Sequence, residues 1–326
     1  MDKNLNVVLS VVSPMFNEEE NVETTVGAIQ SELNKLNINW ELILVNDGST
    51  DQTKIKAKKL EEENSFLKIV SYDINRGRGH ALRKGFDAAK GKYIISIDFD
   101  LSYSPDHITK IFNELQNNPR ADIVMGSAYM KGGKTINVPP KRLFMSKLGN
   151  KILRIAFRGE FKTITCILRG YRKDVLNALS LDSEDKEIHL EILSKSLALG
   201  YKVVEIPATL TGRKKGTTKS KLKRISISHL LFSIFEKPVV IFSVLGSILL
   251  TAGIGFGLYI SYLRFISQLN AGRPLFYLVV ILILVGFQLL SFAIISGQNS
   301  MLRNEIYKLQ SKLKKIEKKS ENSDQE

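Results

Sequence analysis

Gly91-Lys92-Tyr93-Ile94-Ile95-Ser96-Ile97-Asp98-Phe99-Asp100 is a short apolar run that stops on two carboxylates. The apolar part, Tyr93–Ile97, reads as a buried strand. Two acids two residues apart at a strand end repel each other unless a cation lies near. A hard divalent ion such as Mg²⁺ or Mn²⁺, which takes oxygen ligands and shares them with substrate phosphates, meets that need. A solvated turn into a helix capped by Ser104 or Asp106 is the plainer alternative.

The same grammar repeats on either side. Val7–Val12, Glu41–Val45, Leu67–Ser71 and Ile123–Met125 also read as strands, and Glu18–Leu36, Thr53–Glu63, Gly79–Lys90 and Asp106–Asn117 as amphipathic helices. Such alternation predicts an α/β domain with a mostly parallel sheet covered on both faces. Sheets of this kind bind ligands at the carboxyl ends of their strands. Polar clusters stand at those ends: Ser13-Pro14-Met15-Phe16-Asn17-Glu18, Asn46-Asp47-Gly48-Ser49-Thr50-Asp51, Asn75-Arg76-Gly77-Arg78-Gly79 and Asp98-Phe99-Asp100. A composite site is therefore expected there.

Asp47 is placed to accept hydrogen bonds from a nucleobase or ribose, with Ser49, Thr50 or Asp51 capping the following helix. Arg76 and Arg78 flank Gly77, a pairing of phosphate-binding side chains with close backbone approach. Leu82 stands where the third glycine of a dinucleotide fingerprint belongs, and no Walker sequence is present. A nicotinamide dehydrogenase and a P-loop NTPase are both disfavoured.

The 326 residues carry a net charge of +14, and the lone cysteine, Cys166, excludes an internal disulfide framework. Cys166 and four scattered histidines make no zinc cluster. Residues 239–263 and 274–302 hold no charge, and each exceeds the roughly 20 residues that cross a bilayer. Seven basic residues in 212–224 precede the first run, lysines follow the second, and only Arg264 and Arg273 lie between. The positive-inside rule then predicts a multi-pass cell-membrane protein with its catalytic domain and both termini cytoplasmic. The expected division is 1–225 for the α/β domain, 226–302 for a membrane domain with spans near 239–263 and 275–297, and 303–326 for a basic tail. VVLSVVSPMF at the start reads as a strand rather than a signal peptide.

From Ile123 to Gly159 there is no acid, while Arg142, Ser146 and Asn150 recur every four residues beside Leu143, Phe144, Leu148 and Ile152. An amphipathic helix of this composition suits a membrane surface, its polar row facing an anionic headgroup. Nucleic acid is the competing partner, which two spans disfavour. Arg213, Gly216, Thr217, Thr218 and Lys219 form a basic loop fit either to fold over a diphosphate or to touch anionic lipid. In the tail, Leu302, Ile306, Leu309, Leu313 and Ile316 are spaced 4, 3, 4 and 3, a heptad seam. A homo-oligomer aided by that seam is expected; an amphipathic helix on the leaflet is the alternative.

Taken in order, these motifs, with Gly126-Ser127, Arg169-x-Tyr171-Arg172 and Arg213-x-x-Gly216-x-Thr218-Lys219, resemble the family 2 glycosyltransferases of GT-A fold. The similarity is to the polyprenyl-phosphate branch, with its dolichyl-phosphate mannose synthases. It covers about residues 7–225, and two C-terminal spans match the layout of the bacterial glucosyltransferases in that branch. The resemblance implies a Rossmann-like domain and an inverting transfer of one sugar from a nucleotide-diphosphate sugar (GDP-mannose or a UDP-sugar) to dolichyl or polyprenyl phosphate. It implies that Pro14, Phe16, Glu18, Asp47 and Arg76 hold the nucleotide and that Asp98 sits near ribose or sugar. Asp100 would ligate Mg²⁺ or Mn²⁺, Arg213 and Lys219 would clamp the diphosphate, and Arg142, Ser146 and Asn150 would grip the lipid phosphate. The chain departs from the pattern at Ser102, a poorer second metal ligand where Gln is common. It departs again at Ala128 in place of Arg, and at Thr163, which lacks the usual carboxylate. Glu191 falls where relatives with hydroxyl acceptors place a base and is expected to line the site. Rival functions are a transferase extending a lipid-linked glycan or glycolipid, and a non-catalytic sugar-nucleotide-binding scaffold.

Overall fold

The computed structural model describes residues 6–157, 161–212, 238–266 and 274–323. Arg213, Lys219 and most of the basic segment 212–224 therefore lie outside the described residues. Compactness divides the chain into two units, Met1–His229 with Tyr307–Glu326, and Leu230–Ile306.

The first unit is built on a seven-stranded sheet, ordered β3-β2-β1-β4-β7-β5-β8. Its strands are β1 Leu9–Met15, β2 Trp40–Asp47, β3 Leu67–Tyr72, β4 Tyr93–Ser96, β5 Ile123–Ser127, β7 Arg169–Arg172 and β8 Val203–Pro207. All pairings are parallel except those of β7, which runs against both β4 and β5. Leu42, Ile43, Leu44 and Val45 in β2 are fully buried, as the continuous apolar run of a doubly covered strand requires. Helices α1 Val22–Leu33, α2 Thr53–Glu63, α3 Arg78–Ala88 and α4 Asp106–Asn117 follow the strands in the expected order. The strands overrun the apolar runs: β1 continues through Pro14 to Met15, and β2 takes in Asn46 and Asp47. The order of strand addition reverses at β1, which pairs in parallel with β2 on one side, leading on to β3, and with β4 on the other. That switch point opens a crevice at the carboxyl ends of β1 and β4, where Pro14 and Asp98 stand.

A second sheet of two strands, β6 Lys134–Ile136 and β9 Thr209–Thr211, flanks the crevice. His107 of α4 pins it: Nδ1 donates to the Ser104 carbonyl at 2.9 Å, and Nε2 accepts the Thr209 amide at 2.9 Å. The Thr211 amide then donates to the Ser102 carbonyl at 2.8 Å, which sets β9 beside the Asp98–Asp100 turn. Between the two small strands, α5 Pro140–Ala156 opens with Pro at its first position, which fits a residue without an N–H. α6 Lys173–Ala178 and α7 Ile188–Ala198 complete the domain.

Arg169 of β7 is fully buried. Its guanidinium donates to three carbonyls, those of Cys166 and His189 at 2.9 and 2.7 Å and that of Ile164. It thereby ties the 163–168 loop to α7.

The second unit holds two helices long and apolar enough to cross a membrane, Pro238–Phe265 and Pro274–Ser323, the latter running on into the first unit. They pack closely where glycines remove side chains. A Cβ on Gly286 would lie 2.8 Å from the Leu250 amide nitrogen, and one on Gly246 would lie 2.9 Å from the Gly286 carbonyl. Tyr277, Phe287 and Ile294, each 67% exposed, present apolar surface outward, as a lipid-facing helix would.

Candidate active site

Three strand-end loops are stitched together before any ligand is considered. Asn17 takes a left-handed conformation (φ 53°), which Asn tolerates better than most residues. Its Oδ1 accepts the Thr50 amide at 2.8 Å, its amide donates to Ser49 Oγ at 2.9 Å, and the Glu18 amide donates to Thr53 Oγ1 at 2.8 Å. Asp51 Oδ1 accepts the Thr53 amide at 3.0 Å, so it does serve the start of α2. Gly48 (φ 64°) passes so near the third loop that a Cβ would lie 2.4 Å from the Asn75 amide nitrogen.

Asp47 is the knot of this arrangement. Its carboxylate accepts the Arg76 amide at 2.8 Å, the Gly77 amide at 3.0 Å and Asn75 Nδ2 at 3.0 Å. Part of its hydrogen-bonding capacity is thus spent on shaping the 75–77 loop, although it still lines the cavity. Gly77 between the two arginines has a positive φ (97°); Arg78 lines the cavity, and Arg76 is exposed outside it. Arg78 forms an ion pair with Asp98 at 3.1 Å. The cation that the two acids require is therefore in part a protein side chain. Burial still pushes the Asp98 carboxyl above its ordinary range, against the pull of Arg78 and with a further push from Asp100.

The cavity, about 560 Å³, is lined on one side by Pro14, Phe16, Glu18, Asp47 and Arg78, and at its floor by Asp98, Asp100 and Ser102. Leu101, directly after the second acid, is left-handed (φ 51°), which brings the Ser102 amide to Asp100 Oδ1 at 2.9 Å and the Ser102 hydroxyl to the same oxygen at 2.6 Å. These are hard oxygen donors, two carboxylates and a hydroxyl. They fit a divalent ion that completes its shell with phosphate and water rather than an all-protein cage. Among the described residues, no cluster of three or more His, Cys, Asp or Glu side chains forms such a cage.

Arg142 and Ser146 of α5 line the same cavity, and the Arg142 charge acts on Asp98. Ser146 Oγ accepts the Tyr129 hydroxyl at 2.8 Å. Phe144 and Leu148 project from α5 with 66% and 40% exposure. Asn150 departs from the expected role. It is 3% exposed, and its amide is committed to protein, accepting from the Ile164 amide at 2.6 Å and donating to the Ser146 carbonyl at 2.9 Å. It anchors the 163–166 loop behind the cavity wall.

Glu191 also faces the protein. It accepts from the Asp182 and Ser183 amides at 3.0 and 2.9 Å and from Lys195 Nζ at 2.6 Å. Burial alone would raise its carboxyl, but these donors hold it below the ordinary range. The carboxylate that lines the cavity from this region is Asp185, with Lys186 next to it. Tyr103 and Tyr129 are further lining residues that no local pattern marks, and Thr163, where the chain departs from the family pattern, lines the cavity with Thr165. Cys166 shares this wall, 5% exposed, and burial pushes its thiol up to about 11.

The 181–185 segment packs on α3 through a glycine. A Cβ on Gly79 would lie 2.3 Å from the Ser183 carbonyl and 2.7 Å from that of Asp185, both backbone atoms that do not yield easily. Gly79→Ala is expected to cost about 1–3 kcal/mol through overpacking. Thermal unfolding in detergent should show it as a midpoint several degrees lower; an unchanged midpoint would mean that the segment moves aside freely.

The sequence model of Glycosyl transferase family 2 matches residues 10–180. A dolichol-phosphate mannosyltransferase of Pyrococcus furiosus is 34% identical over 67% of this chain, which spans 60% of that protein's length. A polyprenol monophosphomannose synthase of Mycolicibacterium smegmatis is 28% identical, covering 69% of this chain and 85% of its own. An undecaprenyl-phosphate 4-deoxy-4-formamido-L-arabinose transferase of Proteus mirabilis is 28% identical over 91% of this chain and 90% of its own. Among solved structures, glucosyl-3-phosphoglycerate synthase of Mycobacterium tuberculosis with Mn²⁺, uridine diphosphate and glucosyl-3-phosphoglycerate superposes with a TM-score of 0.52. That match is at 21% identity and covers 70% of this chain and 80% of the other. At that identity the likeness speaks for the fold, a GT-A-like α/β domain.

Proposed function

The chain belongs to glycosyl transferase family 2, and from that premise we propose that it moves a sugar from a nucleotide-diphosphate sugar to a polyprenyl phosphate at a membrane surface. The observation that carries this reading is one cavity lined both by the Asp98/Asp100 pair and by Arg142 and Ser146 of an amphipathic helix. Acidic residues for a metal-bound diphosphate thus share a space with a cation for a lipid phosphate. The names of the relatives, which include dolichol-phosphate and polyprenol transferases, support the same acceptor class.

The acceptor phosphate is already anionic near neutral pH, so it needs orientation more than deprotonation. Arg142 supplies a charge-assisted grip on that phosphate, and Ser146, held by Tyr129, a polar neighbour. Phe144 and Leu148 favour seating α5 in the interface, which brings the grip to headgroup depth. On the donor side, Pro14, Phe16, Glu18 and Asp47 bound the nucleotide space. Arg78 fixes Asp98 toward ribose or sugar. Asp100 and Ser102 would hold a divalent ion, Mg²⁺ or Mn²⁺, which when bound neutralises charge on the departing diphosphate. Arg213 and Lys219 belong to this proposal as a diphosphate clamp on grounds of sequence alone. The two apolar helices would span the membrane with both termini cytoplasmic, following the basic flanks of the spans.

A donor screen with purified full-length protein, polyprenyl phosphate and Mg²⁺ or Mn²⁺ tests the reading. A glycosyl-phosphoryl-lipid should form from GDP-mannose or from a UDP-sugar. Transfer only to a preformed glycolipid would sink it. That second reading needs a general base, and Asp185 is the carboxylate on the cavity wall that could serve. Asp185→Asn should nearly abolish a hydroxyl-acceptor reaction and only weaken transfer to phosphate.

A further inference from the structure

The seam residues of the C-terminal turns are exposed, Leu309 at 58%, Leu313 at 60% and Ile316 at 64%. Contacts of this segment with the rest of the first unit come from a different face. Lys314 Nζ donates to the Leu179 carbonyl at 2.6 Å. The Lys195 ammonium lies 5.3 Å from the centroid of the Tyr307 ring, within reach of a cation–π interaction. Ser311, between them, is 7% exposed. Tyr307, Ser311 and Lys314 are four and three residues apart, so they share one helix face.

Both anchor points lead to the same segment. Leu179–Glu184 has no helix or strand of its own, so its path depends on the groups that hold it. Lys195 donates to the Ser180 carbonyl at 2.5 Å and to Glu191 at 2.6 Å. Glu191 in turn takes the Asp182 and Ser183 amides. On the far side, the His80 amide donates to the Glu184 carbonyl at 3.0 Å, and Arg83 pairs with the Glu184 carboxylate. Immediately beyond come Asp185 and Lys186, which line the cavity. The segment is thus gripped by α3 on one side and by α7 with the C-terminal turns on the other.

We propose that Tyr307 and Lys314 are positioning residues: the C-terminal turns brace the 179–186 segment and thereby hold Asp185 and Lys186 in the wall of the nucleotide-sugar cavity. The cavity's ligand class rests on the function proposed above; the brace itself does not. Tyr307 confines Lys195 in the orientation that serves Ser180 and Glu191. Lys314 fixes the Leu179 carbonyl at the point where α6 ends and the irregular path begins. Release of either end frees a segment with few apolar contacts to resist opening.

The experiment is hydrogen exchange on the full-length protein in detergent micelles, paired with calorimetric titration of UDP and of GDP in Mn²⁺. The variants are Tyr307→Ala, Lys314→Ala and Lys314→Arg. Exchange of the Asp182 and Ser183 amides should quicken about tenfold in Lys314→Ala, the order expected when a hydrogen bond to a charged group is lost, and about two- to fivefold in Tyr307→Ala, where a cation–π contact of about 0.5–1 kcal/mol is lost. Protection in β1 and β2 should stay at the wild-type level, which shows that the domain is folded. The nucleotide that binds wild type should bind each alanine variant severalfold more weakly. Lys314→Arg, which keeps a donor for the carbonyl, should restore both readouts. Unchanged protection at 179–186 in both alanine variants overturns the brace. Faster exchange with undiminished nucleotide affinity overturns its positioning role. If neither nucleotide binds wild type, the donor reading falls, and the exchange result still decides whether the brace exists.

Discussion

Asp100→Ala should lower sugar transfer by about a thousandfold or more, because several kcal/mol of charge stabilisation at the leaving diphosphate would go with it. The fold should survive. Asp100 is only half-buried, and its partners include the amide and hydroxyl of Ser102. Losing a hydrogen bond to a charged group costs about 1.5–3 kcal/mol at most, and at a half-buried side chain water replaces part of it. The two contacts nevertheless hold Leu101 in its left-handed turn, so alanine alone would confound chemistry with a relaxed loop. Asp100→Asn separates the two. Its carbonyl oxygen still accepts from Ser102, while the negative charge is gone. Both variants should be inactive and should unfold near the wild-type midpoint, with the Asn variant the closer. Full turnover of wild type in excess chelator would refute the metal assignment outright.

Arg142→Ala should raise the concentration of lipid phosphate needed for half-maximal rate by about 10- to 150-fold, the range for a lost charged hydrogen bond. The requirement for donor should change far less, because Asp98 keeps Arg78 as its partner. Arg142→Lys should recover part of the loss, since a point charge remains but the planar fork does not. Ser146→Ala is expected to be milder, as Tyr129 would lose a partner without any change in charge. A defect confined to the donor would move Arg142 to the other half of the cavity and remove the acceptor assignment.

The first half of the domain was legible because its signals are local. β2, β3 and β4 are bounded by polar loops that follow directly in the chain, and α2 and α4 span the residues their periodicity predicts. The same locality brought Pro14, Asp47, Asp98 and Asp100 to one edge. β7 is the opposite case. Arg-Gly-Tyr-Arg carries no apolar run, and its place between β4 and β5 depends on pairing with residues 79 and 48 positions earlier, from Arg172 to Tyr93 and from Tyr171 to Ile123 respectively. The division of labour between Arg76 and Arg78 was equally hidden, since it rests on the path of the folded loop and on the pairing of Arg78 with Asp98. Asn150 and Glu191 misled for a shared reason. Each sits at a spacing that suggests a site, yet each is a hydrogen-bonding hub for the loop behind the wall, where a polar side chain satisfies buried amides. Asp185 and Lys186 had no pattern to give them away, for they reach the cavity from an irregular segment held by distant partners.

Cys166 makes the wild-type chain its own labelling background. At 5% exposure, with burial pushing its thiol up, Cys166 stays protonated at pH 7. Maleimide should therefore pass over the native protein, and a fluorophore or spin probe can go on a single cysteine introduced elsewhere without first removing this one. Once reagent does reach Cys166, its rate reports how often the cavity wall comes apart, which gives a chemical clock for an opening event that no equilibrium spectrum would register.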